Sequence, residues 1–134
     1  MEIMNEDIIN GLVSDWDEVY KKGQMGLWVL LAISDGSKYT AEILDYINAA
    51  NGGRFDIKEQ SLYRALRRFK GMKMVDITER DSPSSGSKRK YYSLTPIGTS
   101  VLGRFIAIHI QPLQQPSVVK SINNAAKGAN HEAR

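Results

Sequence analysis

The chain has 134 residues, 42% of them apolar, and a formal net charge of +3. That length fits one domain with tails, and the apolar fraction sustains a core. It has no cysteine, which excludes a disulfide scaffold and a thiolate metal site, and no run of about 18 apolar residues exists to cross a bilayer.

The opening "MEIMNEDIIN" is acidic, unlike the basic start of a signal peptide, and reads as that of a cytoplasmic protein. Ile8, Ile9, Leu12, Val13 and Trp16 recur at helical spacing and predict a first helix over 4–20, ended by Gly23. "QMGLWVLLAI" at 24–33 is apolar nearly all round and predicts a central second helix. A third helix is expected from Thr40, as its cap, to Ala50, with Ile43, Leu44 and Ile47 inward; the glycines of "NGG" supply the positive φ that ends it. "RFDI" then reads as an extended link.

Charge changes sign at this point. Residues 1–53 carry three Lys/Arg and nine Asp/Glu, whereas residues 54–92 carry eleven and five. A basic segment on an acidic body suggests a face aimed at a polyanion; the alternative is a solvated charged surface. The segment begins with "KEQSLYRALRRFK". At about 100° per residue, Leu62, Leu66 and Phe69 form one stripe, and Gln60, Arg64, Arg67 and Arg68 fall on the opposite side. Glutamine and arginine are the side chains that pair in bidentate fashion with adenine and guanine edges. Ser61 and Tyr63 flank that side and can contact phosphates.

"MVDITER" alternates as a strand does, "DSPSSGS" is turn-rich, and "KRKYYSLT" reads as a second strand with Tyr92 and Leu94 on one face and Tyr91 on the other. The result is a β-hairpin whose tip carries Lys88, Arg89 and Lys90. The expected fold is therefore mostly α with a small β-hairpin, a winged helix-turn-helix with N- and C-terminal dimerisation helices. In such a fold the third helix enters the major groove, and flexible lysines on the wing suit phosphates.

In "TPIGTSVLGRFIAIHI", Thr95 is a cap and Pro96 takes the first helical position. Ile97, Val101, Phe105 and Ile108 recur at steps of four, four and three, with Leu102 and Ile106 beside them. This stripe is wider than a small domain needs. With Leu12 and Trp16 of the first helix, Val101, Leu102, Phe105 and Ile108 are the expected dimer seam; packing on the chain's own domain is the alternative. Pro112 and Pro116 end the helix, and "NNAAKGANHEAR" reads as a frayed tail. The expected division is 1–22 for the N-terminal helix, 23–95 for the winged helix-turn-helix, 96–112 for the dimerisation helix and 113–134 for a flexible tail.

Three stretches resemble the PadR family of bacterial and archaeal transcriptional regulators: "GLWVLLAISDGSKYTAEIL", "GGRFDIKEQSLYRALRRFKGMKMV" and "SKRKYYSLTPIGTSVL". The most specific parts are "SLYRALRRF", similar to the family's Thr-Leu-Tyr-Pro-Ala-Leu-Lys-Arg-Leu, and "RKYYSLTPIG", similar to Arg-Lys-Tyr-Tyr-x-Leu-Thr-x-x-Gly. The resemblance implies a dimeric winged-helix repressor or activator on a palindromic operator in double-stranded DNA, in many members released by a small molecule; a repressor is expected here. The chain departs from the pattern where the family usually has His-Gly-Tyr-Glu-Ile, which here is Tyr39, Thr40, Ala41, Glu42 and Ile43. It departs again at Arg64, which stands in place of the usual proline and adds a charge to the outward side.

Enzymatic chemistry has no foothold. His109 and His131 are the only histidines and do not form a metal-ligand spacing, and "NGGR" and "GSK" are too short for a phosphate-binding loop. No catalytic residue, metal or cofactor is expected. Trp16 and Trp28 are candidate walls for a flat hydrophobic or aromatic effector, with core filling as the alternative. The competing functional reading is a winged-helix module for protein–protein assembly, whose basic face meets an acidic partner.

Overall fold

The computed structural model describes residues 5–54, 56–83 and 86–132, with the backbone alone at 130–132. Phe55 of the expected link, Ser84 and Ser85 of the expected loop and the His131 side chain lie outside it. In chain order the elements are α1 (Glu6–Ala32), α2 (Thr40–Asn51), α3 (Glu59–Gly71), the antiparallel strands β1 (Val75–Asp81) and β2 (Lys88–Leu94), α4 (Pro96–Phe105), and α5 (Pro116–Glu132). They divide into two compact units, one of residues 18–102, the other of the chain before 18 and after 102.

The first unit is the winged helix. Its core is drawn from every element: Val29, Leu30 and Ala32 from α1, Ile43 and Ile47 from α2, Leu62, Ala65, Leu66 and Phe69 from α3, Val75 and Tyr92 from the hairpin, and Leu102 from α4. α2 ends as the sequence predicts: Gly52 and Gly53 take φ of 70° and 78°, and the Gly53 N–H donates to the Asn48 carbonyl at 2.8 Å. Its start is one residue earlier than expected. Tyr39, not Thr40, is the N-cap, and its N–H donates to the Glu42 carboxylate at 3.2 Å.

The turn from α3 into the hairpin uses Lys73 at φ 63°, while Gly71 stays helical, and the Met74 N–H closes back on the Phe69 carbonyl at 3.0 Å. Thr95 then ties the end of β2 to this turn. Its hydroxyl donates to the Lys73 carbonyl at 2.7 Å and accepts the Gly98 N–H at 3.0 Å, so it caps α4 as expected. A side chain at Gly98 would collide with the Met74 carbonyl, which explains a glycine inside this helix.

The second unit is helical. Asn5 caps α1, its side-chain oxygen accepting the N–H groups of Asp7 and Ile8 at 3.0 and 3.2 Å. After α4 the chain widens into a π turn (Ile106–Ile110), in which Phe105 and His109 place their rings 4.5 Å apart, and then tightens into a 3-10 turn (Gln111–Gln114). Pro112 accounts for the irregularity, because its ring would clash with the carbonyl four residues back in a regular helix.

Two expectations are corrected. The separate helices over 4–20 and 24–33 are one helix, α1, of 27 residues; a lone glycine costs only about 1 kcal/mol against alanine and does not interrupt the strongly helical segments on either side of Gly23. The expected frayed tail instead contains α5, with Pro116 in the first position, where a missing N–H costs nothing.

Candidate nucleic-acid interface

α3 has an apolar side and a cationic side, and burial divides them as the helical spacing predicts. Leu62, Leu66 and Phe69 are buried, Leu66 to 1% exposure, together with Ala65, which lies on the same stripe but is too small to mark it. Gln60, Arg64, Arg67 and Arg68 are exposed on the opposite side, with Tyr63 beside them and Ser61 half-buried. Glu59 in the first turn and Arg68 and Lys70 in the last match the helix dipole and favour the helix.

The hairpin register pairs Val75 with Leu94, Ile77 with Tyr92, Glu79 with Lys90, Arg80 with Arg89 and Asp81 with Lys88. Strand alternation then sorts the basic tip. Lys88 and Lys90 share a face with Tyr92 and Ile77, whereas Arg89 shares the other with Tyr91 and Arg80. The first of these faces looks into a groove of about 850 Å3, whose opposite wall is Tyr63, Leu66, Arg67 and Lys70 of α3 and whose end is Thr40 and Ala41 of α2. Tyr92 lies deep in it; burial raises its phenol pKa, as does the neighbouring Tyr63, and Arg67 opposes the shift. With Arg89, which also reaches the groove beside Tyr39, five cations line a cleft with an apolar floor.

The free edge of β2 is tied to the segment before α2. The backbones of Lys38 and Tyr92 exchange hydrogen bonds at 3.0 and 2.8 Å, an isolated bridge that sequence periodicity does not reveal. Lys38 also pairs with Asp35 at 2.7 Å, which lowers the Asp35 pKa.

The expected seam residues fall into two groups. Leu12, Trp16, Val101, Phe105 and Ile108 are exposed in the single chain, Trp16 at 73%. Leu102 is buried at 5% in its own chain, about 100° round α4 from Val101; it is a core residue. Trp16 and Trp28 stand on one helix, twelve residues or roughly three turns apart, rather than on two helices, and Trp28 is half-buried. Among the described residues no group of three His, Cys, Asp or Glu side chains could hold a metal ion, and no helix is long and apolar enough to cross a membrane.

An arginine ridge on α3, a lysine-bearing hairpin beside it and a cationic cleft between them give the winged helix a surface suited to a polyanion. Residues 29–104 match the model of the PadR-like family of transcriptional regulators. The chain belongs to the PadR-like family. Members of the PadR-like family are transcriptional regulators, not enzymes, and bind DNA. Among solved structures, the chain is similar to a PadR-like transcriptional regulator from Bacillus cereus, at 30% identity and TM-score 0.58 over 78% of this chain and 93% of that one. It shares the fold of a PadR family transcriptional regulator from Eggerthella lenta, at 20% identity and TM-score 0.63 over 89% and 96% of the two chains. An uncharacterized protein of Lysinibacillus sphaericus is 29% identical over 85 residues, which span 63% of this chain and 77% of that protein. The PadR-like match begins inside α1 and ends inside α4, so it spans the winged helix and its cationic cleft.

Proposed function

We propose that this PadR-like protein is a homodimeric repressor that binds a palindromic operator in double-stranded DNA. α3 lies in the major groove, with Gln60, Arg64, Arg67 and Arg68 toward base edges and phosphates, and the wing sets Lys88 and Lys90 against the sugar–phosphate backbone. The observation that carries this reading is the separation of α3 into a buried apolar side and an exposed Gln/Arg side, whose Arg67 lines a cleft shared with the wing lysines. The first turn of α2 opens onto the same cleft, where unpaired helix N–H groups favour a phosphate.

Dimerisation rests on exposed apolar residues in helical register. Ile8, Leu12, Trp16 and Val19 on α1, and Ile97, Val101, Phe105 and Ile108 on and after α4, repeat with the same steps of four, four and three. Such stripes are covered in stable proteins, and a second copy presents the same stripes in return. A planar aromatic effector between the two tryptophans would draw Trp16 from one copy and Trp28 from another, since they stand three turns apart on one helix.

Salt titration of duplex binding tests the reading. Binding to random duplex should weaken steeply with salt, with a log–log slope of about 0.9 per phosphate neutralised, and Lys88→Ala should lower affinity for all sequences alike and reduce the slope by about 0.9. The protein-assembly alternative requires negligible duplex affinity even at low salt.

A further inference from the structure

The first face of the hairpin packs Val75 and Tyr92 into the core, and its second face makes a further attachment to the body at the end of the cleft that Tyr39 and Arg89 line. On that second face, Arg80 and Arg89 stand directly opposite each other in the register, a like-charge pairing that disfavours the strand contact. Each guanidinium is instead laid on an aromatic ring. Arg80 sits 4.4 Å from the centroid of Tyr91, and Arg89 sits 4.3 Å from the centroid of Tyr39. The two rings meet edge to face, with centroids 5.5 Å apart. Arg80 also donates a hydrogen bond to the Ser37 hydroxyl at 2.9 Å. The four side chains interleave as Arg80, Tyr91, Tyr39 and Arg89, and they join the hairpin to the N-cap of α2.

We propose that this Arg80–Tyr91–Tyr39–Arg89 interlock sets the angle of the wing, with Tyr39 as a positioning residue for DNA binding that acts through Lys88 and Lys90. The register dictates the division of labour. Strand alternation puts Lys88 and Lys90 on one face of β2 and Arg89 on the other, where it stacks on Tyr39 at the edge of the cleft. Arg89 is half-buried, whereas Lys88 and Lys90 are exposed. The hairpin base is fixed by Thr95, by the buried Val75 and Tyr92 and by the backbone exchange between Lys38 and Tyr92. The stacked side chains of Arg80 and Arg89 attach it again three residues nearer the tip. Tyr39 occupies the place where the resembling family usually has histidine, and a phenol ring offers a larger face for a guanidinium. The inference rests on the reading that the wing touches the duplex.

The test measures duplex affinity across a salt series, with thermal melting of each variant. Tyr39→Leu should weaken binding about 10-fold and lower the log–log slope by about one to two, the share of the two lysines, although it removes no charge. Tyr39→Phe should restore most of the affinity, because the ring face and not the hydroxyl holds Arg89. In a Lys88→Ala/Lys90→Ala background, adding Tyr39→Leu should change affinity by less than about 2-fold, since the positioned groups are gone. Arg80→Met, which breaks the other half of the interlock, should repeat the slope change if Tyr39→Leu fails to fold. An unchanged slope in Tyr39→Leu or Arg80→Met, or a full additional loss in the lysine-free background, overturns the interlock while leaving DNA binding intact. If removal of the two lysines has no effect, the wing does not touch DNA, and both the interlock and the proposed docking fall.

Discussion

Arg64 and Arg67 show how much a single side chain is asked to do. Both are exposed on α3, yet only Arg67 lines the cleft and lies close enough to influence Tyr92. Arg64 stands on the outer side of the ridge, where the resembling family usually has proline. An arginine that pairs with a guanine edge is worth about 1–3 kcal/mol of discrimination against the wrong base, whereas one that holds a phosphate contributes affinity without preference. Arg64→Ala should therefore cost about 1–3 kcal/mol on the preferred site and much less on random duplex. Arg67→Ala should weaken both. Parallel titrations on the two duplexes separate these outcomes, and equal losses for Arg64→Ala would assign it to the backbone.

At the scale of elements, α1 bears the clearest test of the fold. Gly23 is exposed in the interior of a continuous helix, and a Cβ added there meets nothing within 4 Å. Gly23→Ala should raise stability by about 0.5–1 kcal/mol, read from denaturant unfolding; a loss would show that the helix needs the glycine. The same residue marks the limit of sequence reading. α3, α4 and the two strands were legible because side-chain periodicity and caps agree there: a buried Leu62, Leu66 and Phe69, an alternating hairpin, Thr95 before Pro96. The continuity of α1 was not legible, because a glycine in a helical pattern looks the same whether the helix passes through it or stops. α5 was hidden for a different reason. Val118, Val119 and Ile122 are its only large apolar residues, and the polar, small-residue run after them pointed to a tail on composition alone. In the cleft, the cationic residues were legible one by one. The pairing of Arg80 with Arg89 was not, because it depends on a register fixed by the turn, nor was the bridge between Lys38 and Tyr92, which joins residues far apart in sequence.

For the whole molecule, the central claim is that two copies present two arginine ridges to one duplex. The exposed stripes on α1 and around α4 are the proposed pairing surface, and an interface between identical chains is usually two-fold, so the preferred DNA should be two-fold as well. The most direct measurement is selection of binding sites from random duplexes by the purified full chain. The account predicts enrichment of an inverted repeat with half-sites about 34–36 Å apart or a multiple of that spacing, and loss of enrichment when Arg64 and Arg67 are both replaced by alanine. Selection that returns no common sequence, or the same sequence with and without those arginines, would contradict it.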